Sequence, residues 1–115
     1  MTIQTSTYTT QSLSETFERL LAEEVTYANK KIKSCHSAVR GLKRRGAAGI
    51  GWAMQNVNLA KQAAADIETS LDRLADALPE ELVESATHTA LVARAAAAEL
   101  HREVKNAMHR AETAA

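Results

Sequence analysis

Cys35 is the chain's only cysteine, and it stands beside His36, one of four histidines. A thiol next to an imidazole has the residue types of a nucleophile and its base. Neighbours on a helix point about 100° apart, however, and Cys35 falls on an apolar seam. It therefore reads as a buried structural thiol rather than a nucleophile. Metal chemistry is tested the same way. A di-iron site in a helical protein uses Glu-x-x-His on two helices. None of His36, His88, His101 or His109 has a glutamate three residues earlier. Glu84 with His88, and His101 with Lys105 and His109, share helix faces at i, i+4 spacing and read as solvated polar faces. No cofactor, metal or catalytic residue is expected.

The stretch "GLKRRGAAGIGW", residues 41–52, holds the densest cations and all four of the chain's glycines. Gly41 and Gly46 have the spacing of G-x-x-x-x-G, but Ala47 and Ala48 stand where a phosphate-binding loop needs Lys and Ser or Thr. No strand precedes it, which also removes the dinucleotide fingerprint. The stretch is expected to be a corner between two helices, with glycine-exposed N–H groups and Lys43, Arg44 and Arg45 at hand for an anion. Aromatic residues for base stacking are few: Trp52 and Tyr27. The residues expected to make partner or anion contacts are Lys30, Lys33, Arg40, Lys43, Arg44, Arg45 and Trp52.

Helical elements must position these side chains. Residues 1–11 are rich in Thr and Ser without strong periodicity, and are expected to form a flexible arm. Ser12 with Glu15 matches a capping box, which predicts a helix over 12–45. Its apolar positions run Leu13, Phe17, Leu21, Val25, Ala28, Ile32, Cys35, Val39, Leu42, alternating three and four from Val25 onward. Gly46 follows as a helix-ending residue. A second helix is expected over 48–78, with the seam Val57, Ala60, Ala64, Ile67, Leu71, Leu74, Leu78. Pro79 stops it and opens a third, over 79–111, with the stripe Ala86, Ala90, Ala93, Ala97, Leu100, Val104, Ala107, Ala111. Leu91 and Val92 lie off this stripe and suggest a second buried face. The predicted fold is all-α: an antiparallel, up-down-up bundle of three long amphipathic helices within one domain, residues 12–115. A core rich in alanine is thin, so completion by homo-oligomerisation is expected.

Fourteen Lys and Arg balance fourteen Asp and Glu, yet the signs are segregated. Residues 25–65 contain no acid; residues 66–84 contain seven acids and one base, Arg73. Such a chain is bipolar, basic near Gly46 and acidic near Pro79. Matching to helix dipoles fails for the second helix, whose C-terminal half is acidic. Docking to a protein of complementary charge, or to another copy, is the reading that remains. The N-terminus shows no signal-peptide pattern, and no uncharged run reaches the roughly 20 residues of a spanning helix. One unpaired cysteine suits a cytoplasmic setting. The expected function is that of a non-enzymatic interaction, adaptor or inhibitor protein. The alternative is a module binding nucleic acid or a nucleotide at the basic pole.

Overall fold

A computed structural model describes the backbone of residues 2–114 and the side chains of residues 13–114. The chain is helical almost throughout, and no strand occurs among the described residues. Three α-helical segments are present: α1, Thr2–Arg45; α2, Ile50–Leu74; and α3, Glu80–Ala114. The all-α class expected from periodicity holds. The helical backbone nevertheless forms two unbroken runs, 2–77 and 80–114, rather than three separate helices. The glycine corner turns the chain without any residue falling outside helical or 3₁₀ assignment. Gly46–Gly49 tightens into a 3₁₀ turn that leads straight into α2. Apart from that turn, the helical assignment among the described residues lapses only at Leu78 and Pro79. Leu78 is extended, at φ −111 and ψ 152, because the proline ring crowds the helical conformation of the residue before it.

Gly46 reverses the chain. Its φ of +59 is in the left-handed region, which an L side chain resists. Beyond it the two arms of the first run pair antiparallel. Cys35 Sγ donates to the carbonyl of Asn56 at 3.6 Å, and Ser70 Oγ donates to Glu24 Oε1 at 2.7 Å. At the other end, the carbonyl of Pro79 accepts from the N–H groups of Leu82 and Val83, both at 3.1 Å, so Pro79 starts α3. Arg94 on α3 forms a two-pronged ion pair with Glu68 on α2. Each α-helical segment packs on the other two, giving an elongated body of 75 × 19 × 16 Å.

The expected helix bounds are corrected in three places. The backbone is helical from Thr2, so α1 begins well before the expected start at position 12. Threonine and serine lower helix propensity by only a few tenths of a kcal/mol, roughly, and no Gly or Pro stands before Gly41 to stop the helix. The Ser12 side chain, the first half of the expected capping box, lies outside the described residues. In addition, α2 gives way to a 3₁₀ turn at Ala75–Ala77 and α3 continues to Ala114.

The core follows the seams. Leu21, Ala28, Ile32, Cys35 and Leu42 of α1 meet Val57, Ala60, Ala64 and Ile67 of α2, and Ala86, Ala90, Ala93, Ala97, Leu100, Val104 and Ala107 of α3. Twelve of the 21 buried apolar side chains among the described residues are alanines, so the helices approach closely but bury little side-chain area. Leu91 contradicts its expected second buried face: it is 61% exposed, while Val92 is half-buried. No described helix is long and apolar enough to cross a membrane.

Candidate docking face

Exposed apolar side chains stand along α1, and two of them, Leu20 and Tyr27, line a hollow shared with α2. Leu13, Leu20 and Tyr27 are 50%, 46% and 44% exposed. They are spaced by seven residues, so they fall on one edge of α1 as a heptad stripe, and Ser34 and Gly41 continue it. At the Gly41 position the stripe is completed from α2. A Cβ placed on Gly41 would lie 3.4 Å from Cζ3 of Trp52, so the indole covers the backbone where a side chain would otherwise stand. Trp52 remains half exposed.

The two ends of the groove between α1 and α2 have opposite sign. Near the corner, Arg44, Arg45, Trp52, Gly41 and Ser37 line one hollow, of about 350 Å³. Toward the other end, Leu20, Tyr27 and Ala63 line a second with Glu23, Glu24 and Asp66, of about 300 Å³. Both volumes are at the bottom of the range for small-molecule pockets. Glu24 accepts the Ser70 bond through Oε1, but its Oε2 is buried without a hydrogen-bond partner. A carboxylate oxygen in that position leaves part of its desolvation cost uncompensated. Between the two hollows, Lys31 Nζ lies 5.0 Å from the centre of the Tyr27 ring, in cation–π range.

All seven residues expected to make contacts are exposed, but the structure divides them. Arg44, Arg45 and Trp52 share the corner hollow. Arg40 is tied to its edge, its Nη2 donating to Ser37 Oγ at 3.2 Å. Lys30 lines a different hollow on α1, with Arg19, Glu23 and Tyr27. Lys33 and Lys43 line neither. Two features escaped sequence reasoning. One is the Leu13–Leu20–Tyr27 stripe, whose seven-residue spacing could have disclosed it. The other is a second cationic hollow between α2 and α3, lined by Lys61, Arg94, Ala98, His101, Arg102 and Lys105. It joins residues more than 30 positions apart, and only the antiparallel register of α2 and α3 brings them together.

Cys35 lies beneath this face, fully buried. Burial pushes its thiol up from the ordinary range, against a smaller downward pull from Lys31. Its Sγ–H points to the Asn56 carbonyl, and Asn56 Nδ2 in turn donates to the Trp52 carbonyl at 2.9 Å. A protonated, enclosed thiol is a poor nucleophile. Among the described residues, no group of three or more His, Cys, Asp and Glu is placed to hold a metal ion. The arrangement offers an apolar stripe flanked by charge, which is the composition of a docking surface. No protein-family model, curated protein or solved structure matches this chain.

Proposed function

We propose that this chain is a non-enzymatic interaction protein, of adaptor or inhibitor type, that docks a protein partner on the α1/α2 face and assembles with itself. The observation that carries this reading is the coincidence of the exposed stripe with Trp52 and the two arginines in one groove. Buried aromatic and arginine anchors supply most of the energy of protein interfaces. Here they stand ready on rigid helices, so little order has to be gained on binding. The thin alanine core gives the same direction, since covering Leu20, Tyr27 and Trp52 would add the apolar burial the chain lacks.

A photo-crosslinking amino acid placed at Tyr27 tests this reading in cells, with His88, exposed on α3, as the control position. A discrete protein adduct from position 27 and none from 88 is the expected result. Equal or absent protein adducts at the two positions would remove the face from consideration.

The second reading, a module for a phosphate-rich ligand, is favoured by the hollow between α2 and α3. Its charged lining is cationic throughout, with Lys61, Arg102 and Lys105 free of the ion pair that occupies Arg94. Phosphate binding there would weaken steeply with salt. Neutralising Lys61, Arg102 and Lys105 together should abolish binding of a fluorescent single-stranded oligonucleotide. Neutralising Lys43, Arg44 and Arg45 instead reports on the corner. No binding by the unaltered protein at low salt would end this reading.

A further inference from the structure

We infer that the occupant of the α1/α2 groove is a second copy of this chain, lying antiparallel about a two-fold axis at Ser34. This rests on the docking reading above and specifies its partner. The argument begins with symmetry. A two-fold contact is self-complementary: what residue i of one copy meets, residue i of the other must meet as well. An antiparallel pair of helices therefore needs a surface in which each feature has its complement at an equal distance on the other side of the axis.

The groove has that property. Tyr27 and Gly41 each lie seven residues from Ser34. The axis thus sets Tyr27 of one copy against the Trp52 indole that covers Gly41 of the other. Glu23 and Arg44 are 21 residues apart, as are Glu24 and Arg45, and their midpoints fall half a residue either side of Ser34. Twenty-one residues are three heptads, so the members of each pair hold the same angular position on α1. In the antiparallel pair they meet along the same edge of the contact, acid to base on both sides of the axis. Glu24 has its Oε2 enclosed within its own chain, so the Glu24–Arg45 pair adds complementary charge along the contact, while Glu23 and Arg44 are the exposed pair that meets directly. Ser34 itself suits the crossing point. It is small, half-buried, and its hydroxyl is already bonded to the Lys30 carbonyl at 3.0 Å.

A parallel pair would not use this pattern. It sets Glu23 on Glu23 and Arg44 on Arg44, with like charges opposed. Charge exchange therefore tests the inference, and Glu23 and Arg44 suit the purpose because both are exposed. Mass is read by sedimentation equilibrium, with helicity followed by circular dichroism. The unaltered chain should run at twice its 12.4 kDa. Glu23→Arg and Arg44→Glu should each weaken self-association at least tenfold, and the double variant Glu23→Arg/Arg44→Glu should restore it. A short bis-maleimide supplies a readout that does not depend on charge. It should join Ser34→Cys to itself but not Tyr27→Cys, whose two copies would stand about 21 Å apart along the helix axis, 14 residues at 1.5 Å rise per residue.

A monomeric unaltered chain overturns the inference, as does a dimer indifferent to both single exchanges or one that crosslinks equally through positions 27 and 34. The docking reading is judged separately. An adduct from Tyr27 to a different protein would uphold it while this inference falls.

Discussion

Trp52 is seated on Gly41: a Cβ on the glycine would stand 3.4 Å from the indole Cζ3, at ordinary contact distance. Gly41 is in the interior of α1, so it carries the helix penalty of glycine without a left-handed φ to justify it. Gly41→Ala should therefore stabilise the fold, by about 0.5–1 kcal/mol. Gly46→Ala should do the reverse, by about 1 kcal/mol, because its φ is +59. Urea unfolding of the two variants gives midpoints that move in opposite directions. Gly41→Leu should displace the indole and red-shift its fluorescence.

Leu100 is fully buried on α3 in a core made mostly of alanine. Leu100→Ala should cost about 2–5 kcal/mol, and the small neighbours leave few side chains able to collapse into the space. Ala97→Leu tests the opposite limit. Ala97 is fully buried where the segments approach, and added bulk there should cost about 1–3 kcal/mol. Thermal unfolding followed by circular dichroism measures both.

Cys35 gives a pH dependence with a definite sign. Its thiol is raised by burial, so the folded chain holds the proton where the unfolded chain has released it. The contribution is present below the unfolded thiol value, about 8.5, and is lost as pH rises above it. Urea midpoints of the unaltered chain should fall between neutral and alkaline pH more steeply than those of Cys35→Ala. Alkylation of Cys35 should stay slow until the chain unfolds.

The Glu68–Arg94 pair acts in the acid range. Its hydrogen bond to Arg94 holds the Glu68 carboxyl below its ordinary value, so the pair stabilises above the unfolded glutamate value and that stability is lost as pH falls. Both side chains are more than 40% exposed, which keeps the effect below about 1 kcal/mol and screened by salt. Glu68→Gln should shift the thermal midpoint by a degree or two at low salt, in order of magnitude, and by less at high salt.

The seams were readable because burial repeats with the helix. Val57, Ala60, Ala64 and Ile67 are buried as their spacing requires, and so is the α3 stripe from Ala86 to Val104. Leu13 and Leu91 were misplaced because periodicity gives the spacing of a face but not whether a neighbour covers it. Over 2–11 the low helix propensity of Thr and Ser hides the helix from a periodicity reading, yet no Gly or Pro there stops it. At the candidate face, the cation types were legible and their grouping was not. Arg44 and Arg45 are joined to Trp52 by the turn at Gly46–Gly49, and Lys33 and Lys43 are left out by their angle on α1.

The slender build has a hydrodynamic consequence. Its radius of gyration is 19.1 Å, against about 13 Å for a compact globule of the same length. Such a particle meets excess friction, tumbles slowly about its short axes, and leaves a gel-filtration column ahead of globular standards of equal mass. A lone chain would elute in the position of something larger, so elution volume by itself would report two copies where there is one.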